Sequence, residues 1–128
     1  MPQDRRIPRG ALGERIAADH LARNGYRILA RNFRTRYGEL DLVAADERAL
    51  VFCEVKTRVA RGTSGPATPL DAIGPAKRRQ LRRMAREWFA AADTPRPRTR
   101  RARFDAIGVL LSTAGSVLAI EHVEDAFS

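Results

Sequence analysis

Two short runs, "GELDLVA" at 38–44 and "ALVFCEVKT" at 49–57, separated by "DER" at 46–48, constrain the fold more than any other feature. Each run has the two-residue period of a strand, and the charged cluster between them reads as a turn, so they predict an antiparallel hairpin. In the first run Leu40, Leu42 and Ala44 fall on one face and Glu39, Asp41 and Val43 on the other. The second is apolar on both sides, as a central strand must be, with Val51, Cys53 and Val55 on one face and Phe52, Glu54 and Lys56 on the other. Ionised groups in such strands lose hydration without any apolar gain, and therefore need a cation, a hydrogen-bond cluster or a surface position.

The spacing of Asp41 and Glu54 brings their side chains together across the hairpin, where two carboxylates repel unless a divalent ion lies between them. Mg²⁺ suits such a pair: it takes hard oxygen ligands, commonly two protein carboxylates, and completes its shell with water and substrate phosphate. The backbone carbonyl of Val55 is a further candidate ligand, and Glu14, on the inner part of the first helix, can approach from the side. Lys56 projects on the same face as Glu54, where an ammonium can orient a water or neutralise charge on a phosphate. These are the parts of metal-assisted phosphodiester hydrolysis. The competing reading is a buried ion-pair cluster in which Lys56 neutralises both acids, an arrangement that often adds little net stability.

The rest of the chain supplies the frame. Leu12, Ile16, Ala17 and Leu21 form one stripe of a helix over about residues 11–24, stopped at Gly25. A less regular strand, 26–34, has Ile28 and Leu29 adjacent. Residues 58–68 have the Gly, Ser, Thr and Pro content of a mobile loop, and "LDAI" after it suits a helical turn. A second helix over about 75–92 starts with Pro75 and carries Leu81, Met84, Ala85, Trp88, Phe89 and Ala92 at helical spacing, which assigns Trp88 and Phe89 to the core. A basic connection at 93–103 leads to two closing strands, 103–112 and 117–123. The order α-β-β-β-α-β-β predicts an α/β domain with a central mixed sheet flanked by helices. A basic tail, 1–10, precedes this single domain, 11–128.

Charge narrows the partners. Twenty-four Lys and Arg against 15 Asp and Glu give a net charge of +9, which suits a polyanion. The polar face of the second helix presents Lys77, Arg78, Arg79, Arg82, Arg83 and Arg86 as candidate phosphate contacts. All the cationic residues except Lys56 and Lys77 are Arg, so a Lys kept between apolar residues points to a compact, tunable charge. No apolar run is long enough to span a membrane, no signal-peptide pattern follows the charged start, and the lone Cys53 sits in an apolar run. A cytoplasmic protein without membrane association is expected, with Cys53 a core residue. Arg103 and Asp105 read as a structural ion pair, and His20 and His122 as isolated.

The pattern Asp41, twelve residues, Glu54, one residue, Lys56 resembles the PD-(D/E)xK nuclease superfamily, and "GERIAADHLARNGYRIL", "GELDLVA", "VFCEVKTR" and "RFDAIGV" are similar to the YraN-like family within it. The resemblance covers nearly the whole chain and implies a restriction-endonuclease-like core. It further implies a Mg²⁺- or Mn²⁺-dependent endonuclease acting on structured nucleic acid, with DNA favoured over RNA, and a homodimer like that of junction resolvases. Asp41, Glu54 and Lys56 would be the catalytic core and Glu14 the helix-borne acid. Leu40 stands where the superfamily name has proline. Two rival expectations are a nucleic-acid-binding protein that keeps the fold without turnover and a protein-interaction module on a basic scaffold.

Overall fold

The computed structural model describes residues 9–60, 73–91 and 101–126. The tail at 1–8, the segment 61–72 and most of the basic connection, 92–100, lie outside the described residues, as does Leu70–Ala72 of the expected helical turn. The elements are α1 (Arg9–Arg23), β1 (Arg27–Thr35), β2 (Gly38–Ala45), β3 (Leu50–Val59), α2 (Pro75–Ala90), β4 (Ala102–Leu111) and β5 (Val117–Val123). This is the expected α-β-β-β-α-β-β order.

The five strands form one sheet in the order β1-β2-β3-β4-β5. Neighbours are antiparallel except β3 and β4, which run parallel from Leu50↔Ala102 to Val59↔Leu111. Arg58 and Val59 therefore belong to β3, not to a loop: their ladder partners Leu110 and Leu111 hold them in the sheet. The β2–β3 turn is fixed by Asp46, whose carboxylate accepts from the amides of Arg48 and Ala49 at 2.8 Å each.

A helix covers each face of the sheet. On one side Ala17, Ala18 and Leu21 of α1 pack on Leu42, Ala44, Val51, Cys53, Ile107 and Val109. On the other, Leu81, Met84, Ala85 and Trp88 of α2 pack on Leu40, Val43, Leu50 and Phe52. Gly13 lets α1 come close, since a Cβ there would collide with the Thr57 side chain on β3. Cys53 is fully buried and a core residue. Phe89 departs from its expected place. It is 40% exposed while Trp88 is fully buried, because it stands at the rim of an aromatic group in which its ring centroid lies 5.7 Å from that of Phe52.

The strict alternation expected of β2 fails in the middle of the strand. Leu40 packs under α2 and Leu42 under α1, so the pleat slips between them, although two residues apart should share a face. The β2–β3 ladder runs only from Ala45↔Leu50 to Leu42↔Cys53. Asp41 stands where the pairing stops.

Candidate functional site

Where β2 leaves the ladder, the amide of Val55 donates to Oδ2 of Asp41 at 2.8 Å, so a carboxylate takes the place of a strand carbonyl. The Val55 N–H thus holds the Asp41 carboxylate in place. On the other side of β2, Asn32 of β1 has φ 51°, a left-handed conformation that Asn tolerates better than most residues. With its amide nitrogen facing the acids, Asn32 donates to Glu14 Oε2 at 2.8 Å and Glu39 Oε1 at 2.7 Å. Arg34 Nε pairs with the other Glu39 oxygen at 2.7 Å. Carboxylate oxygens of Glu14, Glu39 and Asp41 thus lie within 4.8 Å of one another, brought together by α1 and β2.

Glu54 is set differently. Its side chain is 6% exposed, and Lys56 and Lys77 approach its Oε1 at 3.5 and 3.6 Å, the second from the first turn of α2. Its Oε2 is buried without a hydrogen-bond partner. Beside it on β4 stand Ala106 opposite Glu54 and Gly108 opposite Lys56. The expected pairing of Asp41 with Glu54 is thus resolved into two linked groups, Glu14–Glu39–Asp41 and Glu54–Lys56–Lys77.

The two groups sense each other electrostatically. Burial, then the charge of Glu54, pushes the Asp41 carboxyl up from 3.8 to about 7, against the lowering effect of the Val55 amide. Burial and then the Glu39 charge raise Glu14, while hydrogen bonds from Asn32 and with Asp41 act the other way. Without a cation the site therefore holds a proton near neutral pH.

A group raised in this way favours folding while protonated, and its contribution is lost as pH rises from about 4 through 7. The shift of Asp41 corresponds to roughly 4 kcal/mol, which its partial solvent access reduces to ~2 kcal/mol. In chelator, Asp41→Asn should accordingly be more stable than the parent by about that much at pH 8 and equal to it at pH 4. Urea unfolding at both pH values measures it; a parent no less stable than the variant at pH 8 would contradict the assigned electrostatics.

The basic face of α2 divides in three. Lys77 turns to Glu54, Arg78 is half-buried, and Arg79, Arg82, Arg83 and Arg86 line an open groove of about 520 Å³ together with Tyr37 and Gln80. Sequence patterning did not mark Asn32 or Tyr37. The left-handed Asn breaks a strand pattern, and "RYG" at the hairpin tip looks like an ordinary turn.

Arg103 and Asp105 do form an ion pair, two-pronged at 2.8 Å through Nε and Nη2. His122 is not isolated, because its Nε2 lies 2.7 Å from Asp105 Oδ2 and its ring meets that of His20 edge-on at 5.5 Å. The β4–β5 pairing creates that contact, and a reading of separate segments could not see it.

The site lies within the part of the chain that matches a protein family. Residues 13–109, which hold every acid and lysine described above, match the model of "Uncharacterised protein family UPF0102". A UPF0102 protein of Mycolicibacterium vanbaalenii is 56% identical over 81 residues, 63% of this chain and 64% of that protein. One from Nocardia farcinica is 45% identical over 118 residues, 92% of this chain and 87% of the relative. One from Chlorobaculum tepidum is 41% identical over 122 residues, 92% and 90% of the two chains. Among the described residues no helix is long and apolar enough to cross a membrane. With the model match spanning most of its length and relatives aligned almost end to end, the chain belongs to the uncharacterised protein family UPF0102.

Proposed function

We propose that the protein is a divalent-cation-dependent endonuclease of the PD-(D/E)xK kind, hydrolysing phosphodiester bonds of structured nucleic acid, with DNA favoured over RNA. The observation that carries this reading is the buried Oε2 of Glu54, which lacks a hydrogen-bond partner beside an Asp41 whose carboxyl is pushed up to about 7. A buried carboxylate oxygen left unpaired costs free energy, and a cation shared with Asp41 would remove that cost.

The donor set fits a hard ion. Asp41 and Glu54 would hold Mg²⁺ or Mn²⁺, with Glu14 and the Val55 carbonyl as further ligands, and Glu39 lies in one acidic group with Glu14 and Asp41. Such an ion supplies Lewis acidity toward the phosphoryl oxygens and makes water a stronger acid. Lys56 and Lys77 would turn from Glu54 toward the substrate, one orienting the attacking water and the other offsetting phosphate charge. Val55 and Asn32 fix the orientation of the acids through the hydrogen bonds already described. The α2 arginines would bind the backbone without reading sequence.

Cleavage of a labelled panel of single-stranded, duplex, flap, four-way-junction and RNA substrates with Mg²⁺ and with Mn²⁺ tests the proposal. Cutting abolished by chelator is expected. Binding without cutting, indifferent to metal, would replace it with a binding protein that keeps the fold.

A further inference from the structure

We propose that the groove between α2 and the β1–β2 hairpin tip binds an unpaired nucleobase together with its flanking phosphate, so that the ligand is a single-stranded segment of nucleic acid. The proposal rests on the reading of a nucleic-acid ligand and is independent of cleavage. The groove, of about 520 Å³, lies within the range of ligand clefts, roughly 300–1,000 Å³, and its lining combines four arginines with one aromatic ring.

That ring is held in place. The Tyr37 amide donates to Thr35 Oγ1 at 3.0 Å, the Tyr37 carbonyl accepts from Gln80 Nε2 at 2.8 Å, and Thr35 Oγ1 also meets Met84 Sδ at 3.2 Å. Gly38, with φ 141°, makes the close approach possible, since a Cβ there would meet the Gln80 side chain. These contacts anchor the hairpin tip to α2.

On this anchored ring lies Arg83, its guanidinium carbon 3.5 Å from the ring centroid, with the Arg36 guanidinium 4.9 Å away and its Nη2 donating to the Tyr37 hydroxyl at 2.7 Å. A guanidinium stacked so closely forms a planar, cationic platform, and unpaired bases stack on aromatic rings and on Arg planes alike. Bases inside a duplex are already stacked on each other and offer no free face. Arg79, Arg82 and Arg86 line the same groove and supply charge for the adjoining phosphate.

The groove also adjoins the acids along the chain. Tyr37 precedes Glu39 by two residues, and Arg79 follows Lys77 by two.

Fluorescence anisotropy with labelled 12-mers of single-stranded DNA, single-stranded RNA and blunt duplex DNA, in chelator, tests the inference. The parent should bind one or both single strands about 10-fold more tightly than duplex, and the two single-stranded arms show which sugar is preferred. Tyr37→Ala should cost the single strand about 10-fold, the scale of one stacked base, while leaving its salt dependence unchanged. Arg83→Lys, which keeps the charge and removes the plane, should weaken the single strand alone and guards against a general disturbance of the hairpin by Tyr37→Ala. Duplex bound as tightly as single strand, or equal losses for both in the two variants, would overturn the inference. A protein that binds single strands through Tyr37 yet cuts nothing would keep it and lose the nuclease reading; one that cuts duplex regardless of Tyr37 would do the reverse.

Discussion

Glu54→Gln should reduce the rate of metal-dependent cleavage by about 10³-fold or more and leave the stability within about 1 kcal/mol of the parent. The carboxamide keeps the shape of the side chain but cannot supply the negative oxygen that the proposed ion requires. Lys56 and Lys77 lose their partner, yet their side chains are 27% and 33% exposed and can turn to water. Asp41 gains in the same step, because the Glu54 charge is the second cause of its raised pKa after burial. Activity and stability are therefore expected to separate. A variant that cuts like the parent would remove Glu54 from the mechanism, and one that failed to fold would make it a structural residue.

Asp105→Ala should behave in the opposite way, lowering the free energy of unfolding by ~3–5 kcal/mol. Its carboxylate is fully buried and accepts from Arg103 Nε and Nη2, from the Asp125 amide at 3.0 Å, and pairs with His122 Nε2. Burial alone would raise its pKa, but the hydrogen bonds from His122, Arg103 and Asp125 outweigh burial and hold it below the ordinary carboxylate value. Removing it strands the Arg103 side chain, 11% exposed, with one remaining bond to the Tyr26 hydroxyl at 2.6 Å and a distant Glu124. Urea unfolding at pH 7 measures the loss, and a change under 1 kcal/mol would mean that the buried pair adds little. Asp105→Asn should fall between the two, since it keeps the shape and part of the hydrogen bonding.

The contrast between these acids was partly legible in the sequence. Glu54 and Lys56 stand out because a strand apolar on both faces cannot hide a charge, and Arg103 and Asp105 because two residues apart on a strand share a face. The hairpin and the second helix were legible for similar reasons: period and turn chemistry are local. The slip of the pleat at Asp41 was not. It depends on β2 leaving β3 and on the Val55 amide finding a carboxylate, both tertiary events. Alternation alone therefore put Leu40 and Leu42 on one face. Asn32 and His122 were missed because their partners come from other elements, Glu14 on α1 and Asp105 on β4. Phe89 was placed in the core by its helical spacing, although helical periodicity marks a direction and not how far the core extends.

Isothermal titration of the metal-free protein with Mn²⁺ at pH 7, in two buffers of different ionisation enthalpy, tests for a cation site at Asp41. If the acids around Asp41 form a cation site, one Mn²⁺ should bind with release of about half a proton at this pH, because Asp41 holds its carboxyl near 7 without metal. Asp41→Asn should weaken binding by at least about 10-fold and abolish the proton release. No binding by the parent, or equal binding without proton release in parent and variant, would contradict a metal centre at Asp41 and the hydrolytic function built on it.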